Sequence, residues 1–429
     1  MGELVSALGA AFLGGLILNI MPCVLPVLTM KVFHVVEHAG DDRKTFRMHG
    51  LAYTAGILAA FLLLGLGVVA LRASGELVGW GMQFQNPAFV AAMTGLMVVF
   101  GLNSLEVFEF TVSLRGDVGG HGYLSSFLNG VVACAMSTPC SAPFLGTAAT
   151  FALAAGTPWW ETLLLFAGIG LGLAAPFLLI SFVPALAKVL PRPGPWMIHF
   201  KKLMGFTLLG AGVWLYGVLL KQVGPDAGQR FLGFTLVLAA SLWAVGTFGG
   251  IMESSRRRAV VRALALAATV LGGAWLLDLR PLESPAMAGA VVGEEVVKDG
   301  KIAWAPFDSA RVAAELKRGR PVFIDYTADW CANCKANEKA FIEVSRIREV
   351  FQGTNILPMK ADLTRDNEEI WQWISKLDRS AIPVYAIYMP NGQIDLLPVA
   401  ITTEMLAERL EAASRQFPPT GFGPLADAR

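Results

Sequence analysis

Eight stretches of this chain carry about twenty or more predominantly apolar residues, near 5–36, 50–71, 87–108, 123–155, 162–187, 203–220, 231–252 and 260–278. A helix rises about 1.5 Å per residue, so roughly 20 apolar residues cross the ~30 Å hydrocarbon core of a bilayer. Lipid offers no partner to a free amide or carbonyl, which leaves helices as the only way to place runs of this kind. Residues 1–279 are therefore expected to be a polytopic α-helical membrane domain of about eight spans. Charge supports the division. Residues 1–280 hold 17 Lys/Arg and 12 Asp/Glu, whereas the shorter stretch 281–429 holds 17 and 21. A formal net charge of +1 points to no nucleic acid and no acidic substrate; the lipid bilayer is the evident surroundings.

Orientation follows from the basic residues. Loops and helix ends after spans one, three, five and seven hold 13 Lys/Arg (among them Arg43, Lys44, Arg115, Lys201, Lys202 and Arg256–Arg258), against four (Arg72, Lys221, Arg230, Arg280) on the other face. The N-terminus and the C-terminal region are thus expected to face outward, to the periplasm if the cell is Gram-negative. Met1–Ser6 has an acidic residue and no basic one, so the first span is expected to be its own insertion signal rather than a cleaved leader.

The chain has five cysteines, and four form two sets. Pro22-Cys23-Val24-Leu25-Pro26 recurs as Pro139-Cys140-Ser141-Ala142-Pro143, and Phe12-Leu13-Gly14-Gly15 is echoed by Phe127-Leu128-Asn129-Gly130. Proline removes a backbone donor and crowds the preceding turn, so Pro22, Pro26, Pro139 and Pro143 should break spans one and four at mid-membrane. Three spans separate the two copies, which makes them antiparallel: an inverted repeat of three plus three spans, followed by two more. A buried cysteine is often only a small apolar residue. Packing alone, however, does not require the same bracketed cysteine twice, and Cys23 and Cys140 read as a redox pair able to close into one disulfide. Cys134 has no repeat partner and reads as packing.

Residues 280–302 read as a linker. From residue 303 helical and strand patterns alternate: a helix near 308–319, a buried strand at 321–327, a helix opening at Cys331, a strand near 355–361, a helix near 366–377, strands near 384–389 and 393–398, and a last helix from about 402. Cys331-Ala332-Asn333-Cys334 thus follows a strand and opens a helix, whose free N–H groups and positive end stabilise a thiolate. Cys331, at the first turn, is the expected nucleophile, and Cys334 the resolving thiol. A half zinc site or a structural disulfide are the alternatives. Zinc would need two further ligands, and residues 281–429 hold no histidine and no other cysteine.

The run VFIDYTADWCANCK resembles the active-site strand and helix of thioredoxin-fold proteins, with Trp330 before the first cysteine and Lys335 after the second. LGGLILNIMPCVLPVLTMKV and MSTPCSAPFLGTA resemble the first and fourth membrane helices of the DsbD family, including its ScsB-type relatives. The resemblance runs over nearly the whole chain. It implies a bacterial inner-membrane thiol:disulfide interchange reductase whose thioredoxin-like α/β domain, 303–429, is periplasmic. It implies that Ile382-Pro383 is the cis-proline segment which, with Trp330, shapes the substrate groove. Asp325 is then the buried acid beneath the dithiol, and Glu338, one turn past Cys334, a second acid–base candidate. DsbD proteins usually begin with a further periplasmic domain bearing another cysteine pair. This chain starts just before its first span, so either a separate protein takes the electrons or this is a shortened form.

The expected activity is protein-disulfide reduction: cytoplasmic thioredoxin reduces Cys23–Cys140, that pair reduces Cys331–Cys334, and the latter reduces periplasmic disulfide-containing proteins such as cytochrome c maturation factors or isomerases. Redox-active cysteine pairs serve in place of any cofactor. Two other classes remain open on sequence: a soft-metal (copper) membrane transporter with an accessory domain, since thiolates and methionines suit Cu(I), and an oxidant working in the opposite direction with a quinone.

Overall fold

The computed structural model describes residues 2–19, 43–73, 82–108, 123–134, 158–182, 195–248, 255–277, 279–281, 296–298 and 300–418. They fall into two compact units.

The first unit is helical: α1 Gly2–Leu18, α2 Arg43–Ala73, α3 Pro87–Ser104, α4 Tyr123–Cys134, α5 Trp159–Phe182, α6 Pro195–Val223, α7 Pro225–Phe248 and α8 Ser255–Leu276. Helices α2, α3, α5, α6, α7 and α8 are each long and apolar enough to cross a bilayer, and the described parts of α1 and α4 are shorter apolar helices. Several of their hydroxyls are satisfied locally. Thr54, Thr94, Thr235 and Thr269 each donate to the carbonyl four residues back, at 2.7–2.9 Å, the usual solution where no water is at hand. The proline-bracketed segments with Cys23 and Cys140, expected to break spans one and four, lie outside the described residues.

The expected repeat is visible in how these helices cross. Helix α1 packs on α5 and α4 on α2. At the first crossing, a Cβ added to Gly15 would overlap the Ile169 carbonyl and sit 3.0 Å from the Cα of Gly172; one added to Gly172 would overlap the Phe12 carbonyl. At the second, a Cβ on Gly130 would overlap the Tyr53 carbonyl and one on Gly56 the Phe127 carbonyl, each 3.2 Å from the other glycine's Cα. Phe12 and Gly15 correspond to Phe127 and Gly130 in the repeat. Ile169 and Gly172 stand to α5 as Tyr53 and Gly56 stand to α2. The first helix of each half therefore lies on the second helix of the other half. Helices α3 and α6, the third of each half, meet at Gly101 and Gly205. Close backbone approach through small residues is how membrane helices gain packing where no hydrophobic drive separates protein from lipid. Helix α8 packs on α7 and leaves Leu264, Leu266, Val270, Leu271 and Trp275 exposed, a surface suited to lipid.

The second unit holds the C-terminal α/β domain. A hairpin of β1 Val297–Lys298 and β2 Lys301–Ile302 opens it, inside the stretch that reads as linker; Gly300, at φ 70°, makes the turn. Then come β3 Ala305–Pro306, α9 Ser309–Lys317, β4 Val322–Thr327, α10 Ala332–Asn337, a π-helical turn Glu338–Ile342, α11 Ser345–Gly353, β5 Leu357–Asp362, α12 Glu368–Ser375, β6 Val384–Tyr388, β7 Ile394–Leu396 and α13 Thr403–Gln416. The sheet order is β3-β5-β4-β6-β7, with β4 parallel to β5 and antiparallel to β6. Every residue of β4 is buried, as expected of a central strand covered on both faces. Phe323, Tyr385, Ile387, Ile347, Phe351, Leu406 and Leu410 form the core beneath α11 and α13. This mixed sheet flanked by helices is a thioredoxin-like fold. The helix α11, with Ile347, Val350 and Phe351 buried, is separate from the helix that opens at Cys331 and is not among the elements expected from sequence.

Candidate dithiol active site

Strand β4 ends at Thr327, and three residues later the chain enters α10 with Cys331 as its N-cap. The two cysteines are joined as a disulfide, with Cα atoms 5.3 Å apart. The Cys331 Sγ accepts from the Cys334 amide at 3.2 Å, one of the helix's free donors, so the first sulfur is the one the helix end polarises. Cys331 keeps 7 % of its surface exposed and Cys334 none. That difference leaves Cys331 the more accessible sulfur of the two.

Asp325 lies in the middle of β4, fully buried, and neither carboxylate oxygen has a hydrogen-bond partner. Burial pushes its carboxyl up to about 7, helped by the Glu338 carboxylate and opposed by Lys360 and Lys335. An acid held there is half protonated near neutral pH, the condition for passing a proton in either direction.

Glu338 is held differently. Its Oε1 accepts from Thr327 Oγ1 at 2.6 Å and from Lys335 Nζ at 3.1 Å, and its Oε2 lies 3.2 Å from Lys360 Nζ. Burial works against its charge, but the Thr327 hydroxyl, Lys360 and Lys335 outweigh that and hold the carboxyl below its ordinary value. Lys335 also pairs with Asp329 at 3.2 Å; burial lowers its pKa, and the two carboxylates more than restore it. The π-helical turn that starts at Glu338 sets this side chain between α10 and the strands; such turns recur at functional sites.

Trp330 donates its indole N–H to the Leu363 carbonyl at 3.0 Å, and Thr364 Oγ1 accepts from the Asp329 amide at 2.9 Å while donating to Asp362 at 2.5 Å. These bonds fix the loop just before Cys331. The Ile382–Pro383 peptide is cis, and both residues are buried. Cys331, Cys334, Asp325, Glu338, Trp330, Ile382 and Pro383 thus all belong to one domain; Cys23, Cys140, Pro22, Pro26, Pro139 and Pro143 lie outside the described residues. Sequence reasoning missed Lys360 and Thr327 as members of the charged group. Lys360 stands opposite Asp325 in the parallel register of β5 and β4, a pairing that no local motif announces.

Comparison with known proteins decides the family. Residues 4–220, just over half of the chain, match the family described as the cytochrome C biogenesis protein transmembrane domain, DsbD type. The chain belongs to the DsbD family. Residues 303–390 match a thioredoxin-like family, which agrees with the DsbD arrangement of a membrane domain followed by a dithiol domain. Among similar proteins, the thiol:disulfide interchange protein DsbD of Ralstonia nicotianae is 27% identical over 92% of this chain and 64% of its own length. DsbD of Salmonella typhi is 28% identical over 89% and 65%, and DsbD 2 of Pseudomonas aeruginosa 30% identical over 88% and 65%. The chain spans about two thirds or slightly less of these DsbD relatives, on the shares just given.

Proposed function

We propose that this protein is a transmembrane protein-disulfide reductase of the bacterial inner membrane, which takes electrons from cytoplasmic thioredoxin and delivers them to disulfide-containing proteins in the periplasm. One observation carries the reading most: a disulfide-bonded Cys331–Cys334 pair caps a helix, in the same thioredoxin-like domain as an unpartnered buried acid titrating near neutrality, on a DsbD-type membrane domain.

In the proposed relay a thioredoxin thiolate attacks the Cys23–Cys140 disulfide, a mixed disulfide forms, and the donor's second thiol resolves it. The membrane pair is left as two thiols. One of them attacks the Cys331–Cys334 disulfide and the other resolves that mixed disulfide, so two electrons pass and the membrane disulfide returns. Reduced Cys331, as thiolate, then attacks an acceptor disulfide. Asp325 takes the proton of Cys334 as that thiol becomes the resolving nucleophile, and Glu338 stays ionised and sets the charge that Asp325 feels. Trp330, Ile382 and Pro383 line the groove that receives the acceptor's backbone. No metal or cofactor enters any step. Potentials of successive couples need differ by only about 30 mV to give a tenfold bias.

The basic-residue asymmetry supports an outward-facing C-terminal domain, away from the Arg-rich loops. The test is trapping in cells. Cys334→Ala is expected to accumulate mixed disulfides through Cys331, and Cys23→Ser to leave Cys331–Cys334 oxidised. A pair as reduced in Cys23→Ser as in the wild type overturns the relay.

A further inference from the structure

The compact unit that bears the dithiol contains more than the C-terminal segment. Among the described residues it also takes in Met82–Asn86, a stretch that in sequence joins α2 to α3. Met82–Gln85 forms a single 3-10 turn, and Pro87 begins α3 directly after it. Phe84 is 3 % and Gln85 6 % exposed.

Both ends of the Gln85 side-chain amide are bonded. Its Nε2 donates to the Leu363 carbonyl at 3.2 Å, and its Oε1 accepts from the Trp371 indole at 3.3 Å, partners 278 and 286 residues away. Phe84 stacks on Trp330, with ring centroids 6.0 Å apart and planes 18° from parallel. The Trp330 indole donates to that same Leu363 carbonyl. One oxygen therefore uses both of its lone pairs, one for the tryptophan before the reactive cysteine and one for the turn. Burying a primary amide costs free energy unless both of its ends are bonded. A turn that merely links two helices has no reason to bury one against so distant a strand end.

We propose that Phe84 and Gln85 are positioning residues for the Cys331–Cys334 pair. They form a strap that holds Trp330 while the pair is being reduced and lets go of it when an acceptor protein occupies the groove. The inference deepens the relay reading and rests on it. Held by the strap, Trp330 is fixed immediately before Cys331, the sulfur that the incoming thiolate must reach. Two neutral hydrogen bonds and one ring stack are modest enough to open again.

The test uses the full-length protein in detergent, as wild type, Phe84→Ala, Gln85→Ala and Trp371→Phe, the last removing the indole donor from the domain side and leaving the turn intact. Reduced thioredoxin is added and the state of Cys331–Cys334 followed by gel shift; in parallel, dithiothreitol-reduced protein is treated with a maleimide and the Cys331 adduct timed. The expected result is at least tenfold slower reduction by thioredoxin in each variant, reduction by dithiothreitol no slower than in wild type, and several-fold faster labelling of Cys331. Variants that match wild type in both thioredoxin reduction and labelling overturn the strap. Wild-type protein that thioredoxin does not reduce overturns the relay reading instead, and the labelling rates alone then decide the strap: faster labelling supports it, equal labelling overturns it.

Discussion

Gly130 of α4 lies backbone to backbone on Gly56 of α2, and a Cβ added to either would stand 3.2 Å from the other's Cα. Gly15 of α1 and Gly172 of α5 repeat that relation at the other crossing. Neighbouring Gly14 and Gly9 have nothing within 4 Å of an added Cβ. Gly15→Val and Gly130→Val are thus expected to cost at least about 1–3 kcal/mol through overpacking, since the obstruction is backbone that cannot swing aside. Gly14→Val and Gly9→Ala should be nearly silent. Melting of the purified protein in detergent compares the four; equal melting temperatures would remove the glycine crossings as the basis of the repeat's packing.

Asp325→Asn should separate stability from activity. The carboxyl, raised to about 7 in the fold, binds a proton that the unfolded chain has already lost above its ordinary value near 4. Its contribution to stability is therefore highest at acid pH and falls as pH rises through the window from about 4 to 7. Asparagine removes that loss, so the variant's advantage in denaturant midpoint should grow across the window and level off above it. Thiol–disulfide exchange at pH 7 should meanwhile slow by about a hundredfold or more, the usual worth of a positioned acid–base group. An exchange rate equal to wild type at pH 7 would remove Asp325 from the proton path.

Opposite shifts are expected from the charges facing that acid. Glu338 raises the Asp325 pKa, and Lys335 and Lys360 lower it. The midpoint of the pH–rate profile should move to lower pH in Glu338→Gln and to higher pH in Lys360→Met. Movement of both in one direction would show that the profile reports a group other than Asp325.

The hydroxyls of Tyr326 and Tyr388 meet at 2.8 Å inside the domain. Burial, and for Tyr326 the neighbouring Tyr388, raises the pKa of each, so both stay protonated. Tyr326→Phe leaves the Tyr388 hydroxyl without this partner, at a cost of about 1–3 kcal/mol, whereas the double change to phenylalanine should be close to neutral. A double-mutant cycle by chemical denaturation measures the difference; strictly additive losses would mean that the pair is not coupled.

Much of this architecture was legible because the signals were local. Apolar length marked the helices, the strand PVFIDYT and the Cys331 helix start marked the dithiol, and alternating pattern marked most of the sheet. What stayed hidden depends on pairing across distance. Lys360 reaches the charged group only through the register of β5 against β4. The amphipathic α11 gives little local signal, because its nine residues are short and carry polar neighbours. Phe84 and Gln85 read as loop between two spans, and nothing nearby in sequence hints at Leu363 or Trp371. The glycines of the crossings stood in plain view in the Phe12–Gly15 and Phe127–Gly130 echo, but their partners Gly172 and Gly56 did not.

The crossed arrangement of the two halves also bears on how the chain is made. Among the described residues helix α1 is seated on α5, and α2 receives α4. A nascent polypeptide that has released its first three spans from the ribosome holds none of these four-helix contacts in finished form. Each early span must wait in the bilayer with its glycine face open until its mate from the other half emerges, which makes the sixth span, the mate of the third, the step that completes these pairings and the stretch before it the window in which quality-control proteases would find an unfinished molecule.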